Sequence, residues 1–458
     1  MTQLSPAPVF GRLKRPAGRQ LLRNRELALL AVAIVITLAA LIIVQTTVLH
    51  QVEPGMLSLV VAVMALIVVF HLVLRFTAPQ ADAVMVPVAT LLNGLGIVEI
   101  YRIDLALHAE GWDALSVKQC AWTALAIASS VAMILIVRQH RILQRYTYTS
   151  GLLAVVLLLL PMLPGIGIEV NGARVWIQVA GLTFQPGEVA KIALAVFFAG
   201  YLVQHRESLS MVGRQVLGMR LPRGRDLGPI VAVWILSMSV IVFQRDLGTG
   251  LLYFGLFLVM LYAATGRASW VGLGVGLFVA GAVAANFILG YVNDRFANWY
   301  DAFNEDRFNE IGGSYQLVQG LFGLAHGGVM GTGLGQGLPH ITPVSQSDYI
   351  VASLGEELGL AGVFAILCLY LILTTRGLRI GYIASDEFSK LLATGLAFVI
   401  ALQCFIVIGG VTRVIPLTGL TTPFLAAGGS SLVANWMIVA LLLRLSDSAR
   451  SRTRLVVA

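Results

Sequence analysis

Three carboxylates interrupt an apolar stretch that begins at Ser345, "SQSDYIVASLGEELGLAGVFAILCLYLILT". Asp348 stands at its start, and Glu356 and Glu357 follow about 12–14 Å further along if the stretch is helical. Carboxylates are costly in hydrocarbon, where they usually serve pairing or function. Asp348 could act as a general base, or it could cap the following helix, because an acid at a helix N-terminus accepts backbone N–H groups. Glu356 and Glu357 could serve the same site or pair with arginines of neighbouring helices.

Two further charged pairs have spacings that suit chemistry. Glu188 and Lys191 in "QPGEVAK" are three residues apart and therefore share one helix face. They form either an internal ion pair or part of a polar site. Arg245 and Asp246 lie at a corner between two apolar stretches, where they are either solvated or part of the same site. The residues alone indicate a polar site in a membrane protein, and they leave open whether it belongs to an enzyme or a transporter.

The composition determines the fold class that must position these residues. The 458-residue chain is 58% hydrophobic and 12% charged, with a mean hydropathy of +0.85. Runs of roughly twenty apolar residues can each cross a bilayer as a helix. The sequence therefore predicts an all-α polytopic membrane protein with twelve apolar spans, near 26–48, 55–74, 84–101, 120–137, 149–163, 187–204, 229–243, 247–264, 268–290, 350–374, 388–411 and 431–445.

Lys and Arg residues are distributed unevenly between alternate loops. With a cytoplasmic N-terminus, most of the 31 fall on the cytoplasmic side, and the others are Arg102, Lys118, Arg174, Lys191, Arg245, Arg295, Arg307 and Arg413. This asymmetry follows the positive-inside rule and places both termini in the cytoplasm of a multi-pass cell-membrane protein. The net charge of +8 therefore indicates topology and contact with membrane lipid, not nucleic-acid binding. The first span is predicted to be an uncleaved anchor.

The only long connection, 291–349, falls on the extracytoplasmic side of this topology, together with 164–187, 412–430 and the "QRDLG" corner. Its aromatic residues predict an ordered loop, and the apolar positions between 317 and 324 form a helical stripe that suits the membrane surface. The glycine-rich "GTGLGQGLP" is either an anion-binding nest or a tight turn. The candidate chemistry therefore lies on the outer face.

Cysteine and histidine point to no metal or redox site. Cys120, Cys368 and Cys404 all lie within apolar spans, so we expect no disulfide. The seven histidines lack metal-ligand spacing, so no His/Cys metal site is expected.

Four segments, in order, resemble motifs of the SEDS family (shape, elongation, division and sporulation proteins). These are "RVWIQVAGLTFQPGEVAK", "QRDLGTGLL", "GSYQLVQG…GGVMGTGLGQG…SDYIVASLGEELGLAG" and "PLTGLTTPFLAAGGSSL". The resemblance extends from about 84 to 445 and implies a ten-helix core, with 291–349 as its large extracytoplasmic loop. Residues 1–83 would then supply a basic cytoplasmic N-terminus and two extra transmembrane helices. Residues 446–458 would form a cytoplasmic tail.

The resemblance also implies an activity. SEDS proteins polymerise lipid II, the lipid-linked disaccharide-pentapeptide, into peptidoglycan, acting with a class B penicillin-binding protein. The family's essential aspartate corresponds to Asp348, which becomes the predicted catalytic residue. The predicted substrate-binding residues are Glu188, Lys191, Arg174, Gln185, Arg245, Asp246, Tyr315, Gln316, Ser430 and Ser431. No cofactor is required by the residues, although the family allows a divalent cation, Mg or Mn, near Asp348.

The sequence departs from the family motifs at several positions. Gly187 replaces a serine of QPSE, Arg245 replaces a proline, and Ala426 and Ala427 replace a Ser–Tyr pair. A lipid II flippase and a scaffold that activates the penicillin-binding protein are the alternatives to a polymerase. Clustering of the singled-out residues on one face favours the enzyme. Within the family, the elongation type (RodA) is favoured over the division type (FtsW).

Overall fold

The computed structural model describes residues 17–170, 172–179, 182–210, 215–216, 219–220 and 228–457. Its helices are α1 Ala17–Val48, α2 Pro54–Thr77, α3 Met85–Leu107, α4 Leu115–Ile136, α5 Arg141–Arg145, α6 Thr147–Leu159, α7 Pro186–Ser210, α8 Gly228–Ser239, α9 Leu247–Thr265, α10 Ala268–Ile288, α11 Gly290–Tyr300, α12 Glu305–Asn309, α13 Tyr315–Gly327, α14 Ile350–Ile383, α15 Glu387–Val411 and α16 Gly429–Val457. The first sixteen residues of the basic N-terminus, and Arg214, Arg223 and Arg225 of a predicted inner loop, lie outside the described residues.

The predicted fold class is confirmed. Within the described residues, ten helices are long and apolar enough to cross a membrane. Two shorter apolar helices, Thr147–Met162 and Gly228–Gln244, correspond to the remaining predicted spans. The helices form because each stretch is apolar around most of its circumference, facing neighbouring helices on one side and lipid on the other.

The centre of the bundle is built where α3, α4, α7, α9, α14, α15 and α16 pack against one another. Trp436 of α16 is fully buried there. Phe70 of α2 and Phe424 of the α15–α16 loop meet its ring edge-to-face at 6.2 and 5.9 Å. One tryptophan therefore joins an extra N-terminal helix, the last helix and the loop between α15 and α16.

The two N-terminal helices are integral to the bundle. α1 packs along α3 and α2 packs on α4. At the end of the bundle where α1 begins, Glu26 pairs with Arg23 at 2.5 Å and with the buried His71 at 2.7 Å. The predicted C-terminal tail continues α16, and its Arg450 contacts Asp82 at 2.6 Å in the linker that follows α2. The Glu26–His71 contact and the Arg450–Asp82 ion pair thus join both end helices to distant segments of the chain.

α13 packs alongside α14, and the placement of its apolar stripe on the membrane surface stays a prediction. Leu317 and Val318 of the predicted stripe are buried. A side chain at Gly320 would meet the ring of Tyr349, and one at Gly327 would meet the backbone at Gly355. One face of α13 therefore packs closely on the first turns of α14, whereas Leu317 and Val318 cluster with Ala302 and Phe322 stays exposed. The loop that follows α13 lies beside residues 356–361 of α14.

A bend divides α14 where that loop meets it. Gly359 has φ 68° and ψ −175°, a conformation that is essentially restricted to glycine. The freed backbone groups bond to the loop: Leu360 N–H donates to Gly328 O at 2.9 Å, and Gly333 N–H donates to Glu357 O at 2.9 Å. The loop backbone thus replaces part of the helical ladder of α14.

A small antiparallel sheet was not anticipated from the sequence. Its strands are β1 Gly167–Val170, β2 Ala173–Val179 and β3 Leu182–Phe184, in the order β1–β2–β3. Ile168 pairs with Trp176, and Ile177 pairs with Phe184. The sheet leads directly into α7 and so fixes where that helix begins. A two-residue hairpin, β4 Gln215–Val216 with β5 Met219–Arg220, forms a second sheet elsewhere.

Candidate active site

Asp348 lies just before α14 but does not cap it. The helix begins at Ile350, and the carbonyl of Tyr349 accepts from the N–H groups of Ala352 and Ser353 at 2.8 and 3.1 Å. The Asp348 carboxylate instead accepts the hydroxyl of Ser347 at 2.8 Å. The capping alternative is therefore wrong, and the carboxylate of Asp348 is left for another role.

Arg295 of α11 and Asp348 converge on one point of the α15–α16 loop. The position that a Cβ atom would take at Gly419 lies 3.8 Å from Asp348 Oδ2 and 3.9 Å from Arg295 Nη2. Gly419 has φ +77°, which side chains rarely adopt. Arg295 Nη1 donates to Leu417 O at 2.8 Å, which fixes the guanidinium in this place. The absence of a side chain at 419 leaves space between the Asp348 carboxylate and the Arg295 guanidinium.

The charges around Asp348 tune its acidity. Burial raises the pKa of Asp348, while the Ser347 hydrogen bond and the positive charge of Arg295 lower it and the negative charge of Asp246 raises it. The residue as a whole is half-buried. A raised pKa strengthens a carboxylate as a proton acceptor, which suits general-base chemistry.

Asp246 has a structural role as well as an electrostatic one. It caps α9, since Oδ1 accepts from Thr249 N–H at 2.9 Å and Oδ2 from the Thr249 hydroxyl at 2.5 Å. Burial raises the pKa of Asp246, opposed by these hydrogen bonds and by Arg295. The preceding Arg245 is exposed and has φ 57°, so it turns the chain from α8 into α9.

Glu188 and Lys191 form the predicted pair. The carboxylate and ammonium groups are 2.5 Å apart on consecutive turns of α7, and both side chains are buried. Lys191 Nζ also donates to Gln403 Oε1 of α15 at 2.8 Å and to Asn435 Oδ1 of α16 at 3.3 Å. Lys191 therefore joins three helices, and its charge is held in a polar network within an apolar bundle.

The neighbouring predicted residues belong to the same network or border it. Asn435 Nδ2 donates to the carbonyl and hydroxyl oxygens of Ser431 at 2.8 and 3.2 Å. Ser430 is buried beside it, and its hydroxyl has no hydrogen-bond partner within the described residues. Both serines lie inside the first turn of α16. Gln185 is buried before α7, and its carbonyl accepts from Glu188 N–H at 3.2 Å.

Arg174, Tyr315 and Gln316 have peripheral contacts. Arg174 lies on β2 and pairs with Glu169 of β1 at 2.9 Å, with both side chains largely exposed. Tyr315 is partly exposed at the start of α13, and its ring packs on Phe308 at 5.1 Å. Gln316 donates to Pro343 O at 2.7 Å. These contacts do not bring the three residues to Asp348.

Glu356 and Glu357 anchor the glycine-rich loop. Gly335 N–H donates to Glu357 Oε2 at 2.8 Å, and Leu338 N–H donates to Glu356 Oε1 at 3.0 Å. Arg102 of α3 and His326 of α13 complete the pairing of the two carboxylates. The loop is thus an anion nest whose anion is a side chain of the protein itself. Both glutamates are structural partners about two turns from Asp348.

The α15–α16 loop is held in place through its backbone at the two departures from the family motif. Ala427 N–H donates to Gln346 O at 2.8 Å, two residues before Asp348, and Gln119 donates to Ala426 O at 3.0 Å. These bonds do not depend on the side chains at 426 and 427. Replacement of the Ser–Tyr pair by alanines is therefore compatible with an ordered loop.

Several residues of the site were not singled out by sequence reasoning. Arg295 was noted only as one of several outer cations, and Gln403, Asn435 and Gly419 were not recognised. Polar side chains within the apolar stretches of α15 and α16 were the signal that could have found Gln403 and Asn435, because such groups usually face the bundle interior. Arg295 had no comparable signal, since it lies in a polar loop.

The fold and site define a polytopic helical membrane protein in which Asp348 and Arg295 lie close together at one end of the bundle, the Asp348 end. Residues 82–451 match the model of the FtsW, RodA and SpoVE family, described as cell cycle protein, and the chain belongs to this family. The family predicted from the motifs is thereby confirmed.

Relatives and solved structures agree with this assignment. The chain is 46% identical to the peptidoglycan glycosyltransferase RodA of Mycobacterium tuberculosis over 94% of its own length and 92% of that protein. It is 30% identical to a probable peptidoglycan glycosyltransferase FtsW of Geobacter metallireducens over 80% of its length and 94% of that protein. A chain from a solved peptidoglycan synthase complex shares the fold, with a TM-score of 0.62 at 23% identity over 81% of this chain and 98% of that one.

Proposed function

We propose that the chain is a peptidoglycan glycosyltransferase of the RodA type, which polymerises lipid II during cell elongation. Family membership and 46% identity to a protein named for this activity support the reaction class. The lower identity to an FtsW supports the elongation type. The observation that carries the proposal is the geometry at Gly419, where the half-buried Asp348, whose pKa burial raises, and Arg295 converge.

In the proposed reaction, the 4-hydroxyl of one saccharide attacks the anomeric carbon of another. Asp348 accepts the hydroxyl proton as the new C–O bond forms, a role worth about 10²–10⁴-fold in rate. The bond from the anomeric carbon to the lipid pyrophosphate breaks, and the pyrophosphate departs with the bonding electrons. Arg295 is a cation close to Asp348, so it can stabilise the negative charge of the departing pyrophosphate. Its hydrogen bond to Leu417 O holds the guanidinium in place before the reaction.

Glu188 and Lys191 are proposed to shape the inner wall of the site. The ammonium group of Lys191 is already satisfied by Glu188, Gln403 and Asn435. Its charge therefore acts by fixing α7, α15 and α16 relative to each other, and by its field at the substrate. The other predicted binding residues, including Arg174, Tyr315 and Gln316, remain proposals for contacts with the larger substrate.

The residues present do not form a metal site by themselves. In the part of the chain that the structure describes, no group of three or more His, Cys, Asp or Glu side chains could hold a metal ion. Mg or Mn near Asp348 remains a proposal that needs ligands from the substrate pyrophosphate, the usual arrangement for Mg²⁺. No step above depends on it.

We place the Asp348 end of the bundle outside the cytoplasm and both termini inside. The uneven distribution of Lys and Arg supports this orientation. A class B penicillin-binding protein is the proposed partner, supported by the fold shared with a chain of a peptidoglycan synthase complex. The location of Asp348 and Arg295 at one end of the bundle favours a polymerase. A flippase needs a polar path that reaches both faces of the membrane.

The test is polymerisation of labelled lipid II by the purified chain together with a class B penicillin-binding protein. Asp348→Asn should lose at least about a hundredfold in rate, because an amide cannot accept the proton. Thermal stability and binding to the penicillin-binding protein should stay unchanged, since Asp348 caps no helix. Near-normal polymerisation by a folded Asp348→Asn variant would overturn the assignment. If the chain were only a scaffold, every variant that still binds the penicillin-binding protein, including Asp348→Asn, would support normal polymerisation.

A further inference from the structure

An open groove of about 490 Å³ lies beside the proposed reaction centre. Its walls are formed by α11, α13 and the turn that follows α15, and the lining residues are Trp299, Tyr300, Leu321, Thr412 and Arg413. Tyr300 is 81% exposed, so most of its ring is presented to ligand. The volume lies in the range of pockets that bind small molecules.

Reciprocal hydrogen bonds hold the polar residues of the groove rigidly. Trp299 Nε1 donates to Arg413 O at 3.1 Å, and Arg413 Nε donates back to Trp299 O at 2.8 Å. Arg413 Nη2 donates to Tyr300 O at 2.8 Å, and the guanidinium lies 5.4 Å from the ring centre of Phe303. Two of the five guanidinium N–H donors are thus used, and the others are left to bind a ligand.

α11 carries residues of both the groove and the proposed reaction centre. Arg295 and Trp299 are four residues apart, so they occupy the same helix face about 6 Å from each other along the axis. Arg295 faces Asp348 across Gly419, as described above. A polymer that extends from Asp348 along this face would therefore reach the groove within about one turn of helix.

We propose that this groove is a carbohydrate-binding subsite that holds the glycan strand next to the bond being formed. The inference rests on the proposed function and adds to it a site for the polymer. Tryptophan and tyrosine offer rigid, amphipathic surfaces, and the apolar faces of sugar rings pack on them. Arg413 offers charge-assisted donors to the carboxylates and hydroxyls of the muramyl peptide. Holding the strand keeps its end close to Asp348 between successive additions.

The experiment measures glycan strand length and the initial rate of lipid II consumption in the same reaction. Tyr300→Ala should shorten the mean strand by about threefold or more, because the loss of one aromatic contact weakens binding by roughly that factor. The initial rate should stay within about twofold of wild type, since Asp348 and Arg295 are untouched. Thr412→Trp, which fills the groove, should shorten strands in the same way. Tyr382→Ala, which removes a similarly exposed tyrosine at the opposite end of α14, is the matched control.

The outcomes separate this proposal from the proposed function. Wild-type strand length in both groove variants, with Asp348→Asn inactive, overturns the subsite and leaves the polymerase assignment intact. Polymerisation by Asp348→Asn overturns the polymerase assignment whatever the groove variants do. Loss of the penicillin-binding protein from purified Tyr300→Ala, with unchanged strand length, would identify the groove as a protein-docking surface and overturn the carbohydrate subsite.

Discussion

Arg102 of α3 donates from Nε to Oε1 of Glu357 in α14 over 3.1 Å, although 255 residues separate them in the chain. Glu357 is completely buried, and Arg102 Nη2 also donates to Gly337 O at 2.7 Å. The pair therefore fastens α14, α3 and the glycine-rich loop to one another. This explains why the apolar helix α14 carries a glutamate near its start.

Breaking this pair should be strongly destabilising. Arg102→Met leaves the buried Glu357 carboxylate without its cation, which typically costs about 3–5 kcal/mol. The free energy of unfolding can be measured by SDS titration of the purified protein. Arg174→Gln, which breaks the largely exposed pair with Glu169, is the control and should cost about 0–1 kcal/mol. Equal effects of the two substitutions would contradict a structural role for the buried pair.

The bend in α14 should tolerate no side chain at Gly359. An alanine Cβ would lie 2.2 Å from Gly331 N, and the backbone conformation itself is strained by about 1–3 kcal/mol for other residues. Gly359→Ala should therefore lower the unfolding temperature. Gly272→Ala in α10, where a Cβ meets nothing within 4 Å, should leave it unchanged or raise it. A stable Gly359→Ala protein would show that the bend is not required.

The pH dependence of polymerisation should report the electrostatics around Asp348. A base works above its pKa, so activity should fall as the pH drops through that value, and burial raises the pKa of Asp348. Asp246→Asn removes a negative charge that also raises the pKa, so the acidic limb should move to lower pH. Asparagine can still cap α9.

Asp306→Asn, at an exposed position of α12, is the control and should leave the pH profile unchanged. An acidic limb that stays in place in Asp246→Asn would mean that a group other than Asp348 titrates in it.

Exchanging the charges of Glu188 and Lys191 should not restore stability. Lys191→Met should cost about 3–5 kcal/mol, as for any broken buried pair. In the double reversal, a glutamate at 191 would face Gln403 Oε1 and Asn435 Oδ1. Both amides donate elsewhere, to Thr421 O at 2.9 Å and Ser431 O at 2.8 Å, so neither can turn without losing a bond. Normal stability and polymerisation in the double-reversal variant would mean that Glu188 and Lys191 form only an isolated ion pair, and that the bonds of Lys191 to Gln403 and Asn435 are not required.

The orientation of the bundle can be tested by cysteine labelling in intact cells. Ser314 is a poor site because its side chain is buried and bonds to Ala302 O. Ile311 is fully exposed in the loop between α12 and α13, so Ile311→Cys should react with a membrane-impermeant maleimide. Tyr382→Cys, at the other end of α14, should react only after permeabilisation. The reverse pattern would invert the topology.

Sequence alone determined the features that depend on local physics. Hydropathy is a property of contiguous residues, so each of the twelve apolar stretches overlaps an observed helix. The helices α1, α14 and α16 extend furthest beyond the predicted ends, because polar residues continue these helices past the apolar stretch. The pair of Glu188 and Lys191 follows from helical spacing, which is equally local. Asp348 was located by its position at a loop–helix junction together with the family motif.

Tertiary structure alone decided which distant residues meet. Periodicity does not say that Arg295 faces Asp348, that Gln403 and Asn435 bind Lys191, or that Glu357 fills the glycine-rich nest. Nor does periodicity say that α13 packs on α14, since an apolar helix face packs equally well on a membrane surface or on another helix. Such contacts are fixed by packing of the whole bundle, which satisfies buried charges and backbone groups only when every partner is in place.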